Sequence, residues 1–271
     1  IYDSVRAMEQ KGKKKILDID SFLDTKESII AEYKSEYRRI SFGGDHLKRM
    51  EELMGGGLAG GRLYVLGGIP SSGKTALLNN LVDNICLNGN PVLVFSYDDG
   101  KQELRNRSLS RFSGNSIEVF NASSLDNIGL LLNNKSVEQI LPLKYAPTIM
   151  IPVNDWNHYI EQFMNKLGRP PVIFVDYLRK LRMDSKITDE RLRVDDIVTN
   201  LTDLAKGYNT PVVVISELAR DSYKSGQRLS MASFKESGTI EYEASWLGIL
   251  AAVEEDNGEY RLKDNWERSI N

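Results

Sequence analysis

The most informative part of the sequence is LYVLGGIPSSGKTALLNNLV, residues 63–82. Its centre, from Gly68 to Thr75, matches the P-loop pattern, in which two glycines, a lysine and a hydroxyl residue stand at fixed spacing. A strand-like apolar run precedes the pattern and a helix-like run follows it, so backbone amides and a helix N-terminus can face a phosphate. Lys74 is expected to reach the β- and γ-phosphates of a nucleoside triphosphate, and the Thr75 hydroxyl is expected to bind Mg²⁺. The stretch predicts a triphosphate site and leaves the use of that triphosphate open.

The bulk composition is that of an ordinary globular chain. Of the 271 residues, 41% are hydrophobic and 27% are charged, so one domain with short appendages is expected. The longest apolar runs are far shorter than the roughly 20 residues of a membrane helix, so no membrane partner is expected. The net charge of −3 excludes a protein that coats nucleic acid by bulk attraction, and any such contact must be local.

The first residues of the chain, its single cysteine and its two histidines allow further predictions. The opening IYDSVRAMEQ has neither an initiator Met nor a signal peptide, which indicates a fragment of a longer cytoplasmic protein. The single cysteine, Cys86, stands among apolar residues and is expected to be buried rather than reactive. His46 and His158 are far apart and have no cysteine partners, so a zinc site is not expected.

Strand-like and helix-like runs alternate along most of the chain. Strands are expected at 62–67, 92–96, 148–151, 172–176 and 212–216, and helices at about 74–88, 100–112, 154–167 and 190–206, the last ending at Gly207. Such alternation predicts a parallel sheet that helices cover on both faces, with ligands beyond the carboxyl ends of the strands. Residues 113–147 suggest no function.

An amphipathic helix is expected ahead of the main domain, at about residues 21–37. Its apolar residues recur at helical spacing after a capping-box-like start at Ser21. The residues alone leave two possibilities open: the helix packs on its own domain, or it docks on a neighbouring subunit.

Carboxylates stand at the ends of three expected strands. Asp176 follows the buried run VIFV and is predicted to hold Mg²⁺ through water. Asp98 and Asp99 follow the second strand, where they could orient an attacking water or simply begin the next helix. Glu217 ends another core strand and would be repelled by a phosphate unless Mg²⁺ or Lys74 intervened.

Taken together, these motifs resemble the ATPase domain of DnaB-type replicative helicases, ring-shaped hexamers of bacterial and phage replication forks. The resemblance extends over residues 18–265. SSGKTALLNN resembles the family's P-loop, VFSYDD its strand ending Phe-Ser-Leu-Glu, and VIFVDYLRKL its Ile-Asp-Tyr-Leu-Gln-Leu strand. SFKESGTIEYEA resembles its Leu-Arg-Glu-Ser-Gly-x-Ile-Glu segment, which lines the ring, and ISELARDS matches Ser-Gln-Leu-x-Arg in position. The resemblance implies an α/β fold of the RecA-like P-loop type, with a twisted, mostly parallel sheet flanked by helices.

The resemblance also implies a role for each matching residue at the nucleotide. ATP would be bound by Gly68, Ser71, Ser72, Gly73, Lys74 and Thr75. Mg²⁺ would be held by Thr75 and Asp176, Asp98 would take the place of the general base, and Glu217 that of the γ-phosphate sensor. Lys263 and Arg268 would reach the γ-phosphate of a neighbouring subunit.

The implied partners are single-stranded DNA and further copies of the chain, as a hexamer. DNA would be contacted by Lys235, Glu236 and Gly238, and residues 183–190 match a second channel loop by position. Residues 1–40 would be a linker segment whose helix docks on the adjacent subunit, and 41–271 the ATPase domain. A primase or helicase loader would bind through parts outside these residues, in the cytoplasm of a bacterium or of a phage host.

Two departures from the family bear on turnover. The family's base is Glu, and Asp98 is one methylene shorter, so its carboxylate reaches roughly 1.5 Å less far. The family's sensor is a neutral Gln, whereas this chain has Glu217, which either takes over water activation or marks a slow ATPase. Besides the helicase motor, a RecA-related switch or recombinase without unwinding and a weakly active ATP- and DNA-binding module are the alternatives.

Overall fold

The computed structural model describes most of the chain between residues 39 and 262. The described residues are 25–28, 30, 39–122, 134–147, 150–183, 187–219, 229–230, 233–234, 238–251, 253–256 and 259–262. Most of the expected linker helix at 21–37 lies outside them, so its docking and the domain boundary at residue 40 stay predictions.

A parallel sheet of six strands forms the centre of the described structure. The strands are β1 (Leu63–Gly68), β2 (Val92–Ser96), β3 (Lys144–Tyr145), β4 (Val172–Asp176), β5 (Val212–Glu217) and β6 (Trp246–Leu250). They stand in the order β3-β2-β4-β5-β1-β6, and each neighbouring pair is parallel. The expected α/β class is therefore confirmed. A short antiparallel pair, β7 (Val253–Asp256) and β8 (Glu259–Leu262), follows the sheet.

Helices cover both faces of the sheet. They are α1 (Lys48–Leu53), α2 (Lys74–Leu87), α3 (Lys101–Ser113), α4 (Ile117–Ala122), α5 (Lys135–Ile140), α6 (Trp156–Leu167), α7 (Glu190–Tyr208) and α8 (Gly238–Glu243). Side chains of one strand alternate between the faces: Ile173 and Val175 of β4 pack with α6 and α7, while Val172 and Phe174 pack with α2. This double burial explains why the strands are continuous apolar runs.

The end of α7 corrects one prediction from the sequence. The helix does not end at Gly207 but at Tyr208, and it is capped by Asn209, whose φ of 46° is left-handed. Leu204, Ala205 and Tyr208 in its last turns are buried in the core. Tyr208 is the one of these that follows Gly207, and burying a large side chain contributes about 1.5–3 kcal/mol, which exceeds the cost of about 1 kcal/mol for an internal glycine. Asn tolerates the left-handed cap, as glycine does.

The expected strand at 148–151 is wrong in its described half. Met150 and Ile151 belong to no strand, and the edge strand of the sheet is β3 instead. The carbonyl of Ile151 accepts side-chain hydrogen bonds from Tyr97 Oη at 2.5 Å and from Trp156 Nε1 at 3.0 Å. Prolines at 147 and 152 flank this segment and have no N–H to donate to a ladder.

Two smaller expectations concern burial. Cys86 is buried, as expected, and burial raises the pKa of its thiol to about 12, so it stays protonated and unreactive. Among the described helices, none combines the length and the apolar character that crossing a membrane requires.

Candidate nucleotide-binding site

The carboxyl ends of four strands meet at one edge of the sheet. In the register of the sheet, Gly68 at the end of β1 lies beside Glu217 at the end of β5. Ser96 at the end of β2 lies beside Asp176 at the end of β4, and β5 stands between β4 and β1. The residues that follow these strands therefore form one site, as the sequence predicts for a parallel sheet.

The loop from Gly68 to Lys74 makes a tight turn into α2. Gly73 precedes the helix with a φ of 91°, and Ser71 has a φ of 60°, which is strained for a residue other than glycine. At Gly68 a Cβ atom would lie 2.7 Å from Ser72 Oγ and 2.9 Å from the carbonyl oxygen of Leu250. Both predicted glycines are thus required by the backbone, one for its φ and one for close packing.

The Lys74 side chain lies over its own loop. Its ammonium donates to the carbonyl oxygens of Gly68 at 2.9 Å and Ile69 at 2.6 Å. Burial lowers the pKa of Lys74, whereas the nearby carboxylates of Glu217 and Asp176 act to raise that pKa. The structure therefore brings the predicted lysine next to the two carboxylates at the ends of β5 and β4.

Asp176 is the buried acid of the site, with only 2% of its surface exposed. Burial raises its pKa; a hydrogen bond from the Thr75 side chain and the charge of Lys74 act in the opposite direction. Its Oδ2 atom has no hydrogen-bond partner within the described part of the chain, and neither has the buried Oγ of Ser72. Unpartnered buried oxygens beside a lysine and a threonine fit a bound Mg²⁺–triphosphate, because Mg²⁺ takes oxygen ligands and phosphate takes hydroxyl donors.

The adjacent carboxylates Asp98 and Asp99 have different surroundings. Asp99 Oδ2 accepts from Arg107 Nε at 2.7 Å, and the Asp99 carbonyl accepts from Ser96 Oγ at 2.7 Å. Asp99 therefore stabilises the turn that leads into α3. The side chain of Asp98 is 51% exposed at the end of β2 and forms an ion pair with Lys180. Both carboxylates are therefore in ion pairs, and the side chain of Asp98 is the more exposed, at 51% against 21% for Asp99.

Glu217 is partly buried at the end of β5. The pKa of the Tyr177 hydroxyl is raised, first by burial and then by the charge of Glu217. The same charge acts to raise the pKa of Lys74. Lys74 is one of the two cations, the other being Mg²⁺, that the sequence predicts between a glutamate at this position and a phosphate. The neighbouring Ser216 is fully buried, and its Oγ donates to the carbonyl of Glu217 at 3.3 Å.

The remaining predicted residues are placed only in part. Lys235, Glu236, Lys263 and Arg268 lie outside the described residues. Gly238 is the first residue of α8. Phe234, just before the expected DNA-binding segment, pairs with Leu218 immediately after β5, and a Cβ at Gly67 would lie 2.6 Å from its ring. Phe234, the last described residue before that segment, therefore lies next to β1, the strand that precedes the P-loop.

Three residues of this edge were not singled out from the sequence. They are Arg107, Lys180 and Phe234, which contact Asp99, Asp98 and the P-loop strand. Only Lys180 had a visible signal, since it stands in VDYLRKL where the helicase segment has its final leucine.

Comparisons with known sequences agree with this geometry. Residues 45–268 match the family model described as DnaB-like helicase C terminal domain. The probable replicative DNA helicase of Guillardia theta is 28% identical over 200 residues, which are 69% of this chain and 32% of that protein. The replicative DNA helicase DnaB of Synechocystis sp. is 29% identical over 198 residues, which are 70% of this chain and 22% of that protein. The chain thus spans less than half the length of these relatives.

Solved structures show the same fold. One solved ATPase domain superposes with a TM-score of 0.71 at 19% identity, and the match covers 94% of both chains. A DnaB-like replicative helicase, solved in a study of its interactions with primase, superposes with a TM-score of 0.69 at 17% identity and covers 99% of this chain and 67% of that one. The RecA-like arrangement expected from the sequence is confirmed, and the chain belongs to the family of DnaB-like helicase C-terminal domains.

Proposed function

We propose that this chain is the ATP-hydrolysing motor domain of a replicative DNA helicase, which moves along single-stranded DNA as a ring and unwinds duplex DNA. The observation that carries the proposal is the buried carboxylate of Asp176, whose Oδ2 has no hydrogen-bond partner among the described residues, on the same sheet edge as the P-loop and Lys74. A buried, partly unpartnered carboxylate at that place destabilises the fold by itself, and a bound Mg²⁺–ATP gives it a function. Membership of the helicase family supplies the context.

The site residues divide the work of binding ATP. The backbone from Gly68 to Gly73, with Ser71 and Ser72, would surround the phosphates, and Lys74 would exchange its loop carbonyls for phosphate oxygens. Thr75 and Asp176 would hold Mg²⁺, which supplies charge neutralisation at the phosphates. Because these groups are fixed by β1, β4 and α2, they need little rearrangement when ATP binds.

Water activation is assigned to Asp98. Its carboxylate is exposed at the end of β2, on the same edge as Asp176, whose pKa its charge acts to raise. Glu217 would sense the γ-phosphate through Lys74, because the charge of Glu217 acts on Lys74 and Lys74 would bind that phosphate. Because Asp98 is shorter than the family's glutamate, we expect slow turnover rather than none.

Further parts of the proposal concern partners. Single-stranded DNA would contact Lys235, Glu236 and Gly238, with residues 183–190 as a second loop. Lys263 and Arg268 would act on the ATP of the neighbouring subunit in a hexamer. A primase, named for one similar structure, would bind through parts of the protein outside this chain. The working place would be the cytoplasm of a bacterium, for a bacterial or a phage protein.

The test is ATP turnover at low salt, with and without single-stranded DNA. We expect turnover that single-stranded DNA raises and that Lys74→Ala lowers by about a hundredfold, since removal of one such phosphate donor typically has that effect. Lys48→Ala, an exposed lysine on α1, is the matched control and should leave turnover unchanged. Turnover that ignores DNA would indicate a switch-type ATPase, and nucleotide binding without turnover would indicate a binding module.

A second set of variants tests the assignment of the base. Asp98→Ala should lower turnover about a hundredfold or more and leave a measurable residual rate, whereas Glu217→Gln should leave most of the turnover. The reverse order of effects would move water activation from Asp98 to Glu217.

A further inference from the structure

Two consecutive basic residues, Arg179 and Lys180, follow Asp176 and reach in different directions. They belong to a 3₁₀ turn, Leu178–Lys180, which is held in place by the buried side chains of Leu178 and Leu181. The Lys180 ammonium donates to Asp98 Oδ1, and it also lies 5.2 Å from the centre of the Tyr177 ring. The Arg179 guanidinium donates from Nε to Glu190 Oε1 at 2.8 Å.

The contact of Lys180 restricts Asp98. Arg107 forms its ion pair with the neighbouring Asp99 and not with Asp98. Within the described residues, the ion-pair partner of Asp98 is Lys180. A half-exposed aspartate samples several rotamers in water, and a cation on a buried turn favours those that point along the edge toward β4.

The contact of Arg179 connects the same turn to the far end of the next segment. Glu190 is the first residue of α7 and the last residue of the predicted second channel loop, 183–190. Arg179 and Lys180 are adjacent in the chain, so their Cα atoms are about 3.8 Å apart and cannot move independently. A displacement of that segment that strains the Arg179–Glu190 pair is therefore transmitted to Lys180.

We propose that Lys180 is a positioning residue for Asp98, and that the Arg179–Glu190 ion pair couples this positioning to the segment 183–190. The second half rests on the proposed function, in which that segment contacts DNA. The turn then links the DNA-contacting segment to the water-activating carboxylate within one subunit.

The positioning half is tested by steady-state ATP turnover without DNA. Lys180→Met should lower kcat by about twofold to fivefold, the range for losing an exposed ion pair, and leave the KM for ATP unchanged. Lys180→Arg should restore kcat. Because Lys180 acts through Asp98, adding Lys180→Met to Asp98→Asn should lower kcat no further. An equal fall in both backgrounds, or a raised KM with constant kcat, would overturn the positioning role.

The coupling half is tested by a charge exchange between Arg179 and Glu190, measured as the ratio of turnover with and without single-stranded DNA. Arg179→Glu alone and Glu190→Arg alone should each reduce the ratio toward one, and the double variant should restore it. The same exchange at the exposed pair Arg49–Glu52 is the control and should not change the ratio.

The outcomes separate this inference from the proposed function. If DNA does not stimulate the wild-type chain, the proposed function and the coupling are both wrong, while the kcat of Lys180→Met still decides the positioning role. If DNA stimulates the wild type and both single charge variants equally, the coupling alone is wrong.

Discussion

Replacing Lys144 by Met should destabilise the fold strongly, because Lys144 neutralises a buried carboxylate. Asp83 on α2 has no exposed side-chain surface, and its Oδ1 lies 2.9 Å from Lys144 Nζ on β3. Lys144 also donates to Asn79 Oδ1 at 2.6 Å and to Ser108 Oγ at 2.8 Å. The substitution removes the charge and these hydrogen bonds while keeping the length of the side chain.

The expected magnitude follows from what remains. Breaking a buried ion pair by removing one partner costs about 3–5 kcal/mol. Arg111 still reaches Asp83 Oδ2 at 3.1 Å, so we expect the lower end, about 3 kcal/mol of unfolding free energy. For the exposed pair Arg49–Glu52, whose side chains are 77% and 53% exposed, Arg49→Met should cost no more than about 0.5 kcal/mol.

Urea unfolding, followed by far-UV circular dichroism at neutral pH, measures both variants against the wild type. A shift of the midpoint with an unchanged slope is required for the comparison. A cost below about 1 kcal/mol for Lys144→Met would refute the reasoning, since Asp83 would then have to be stable in its buried place without this lysine.

Four further substitutions have effects on stability whose signs the structure predicts. Gly207→Ala should stabilise the chain by about 0.5–1 kcal/mol, because this glycine is helical with open space around it, whereas Gly168→Ala, at a φ of 72°, should destabilise it by about 1 kcal/mol; urea unfolding compares the two. Gly68→Ala should cost about 1–3 kcal/mol in the same assay, since its Cβ would collide with Ser72 and a backbone carbonyl. Asp176→Asn should stabilise the nucleotide-free, Mg²⁺-free chain at neutral pH and abolish hydrolysis. Because the pKa of Asp176 is raised in the folded state, the stability of the wild type falls as the pH rises from 3.8, the ordinary pKa of an aspartate, through the folded-state pKa. The stability advantage of Asn should therefore vanish in acid. Each prediction would be contradicted by its own result: no change in unfolding free energy for Gly207→Ala, no loss of it for Gly68→Ala, or an advantage of Asn at position 176 that does not depend on pH.

The sequence predicts the sheet and the nucleotide edge because both depend on local patterns. Apolar runs that end in Asp176 or Glu217 mark buried parallel strands, and the P-loop spacing marks the turn between β1 and α2. Strands and helices therefore lie close to where periodicity puts them. The edge follows from topology, since parallel strands bring their carboxyl ends together.

The errors have tertiary causes. Gly207 is a local signal for the end of a helix, but α7 extends past it to Tyr208, whose side chain is buried. Ile151 looks like strand, but its carbonyl is taken by the side chains of Tyr97 and Trp156. Neither contact can be read from neighbouring residues, because each depends on packing between separate elements.

Contacts between distant parts of the chain also explain why local patterns do not predict the partners of Lys180 and Lys144. Lys180 meets Asp98 across 82 residues of sequence, and Lys144 meets Asp83 across 61. A lysine far along the chain gives no local sign of the carboxylate it will contact. Such pairs become visible only when the fold brings β2, β4 and the helices together.

The most direct test of the motor function is strand displacement from a forked duplex, with turnover measured in the same sample. The proposed function predicts that the strands separate only with ATP, that a non-hydrolysable analogue does not replace ATP, and that Lys74→Ala fails while Lys48→Ala succeeds. ATP turnover stimulated by DNA without any strand displacement, or displacement that does not need Lys74, would contradict it.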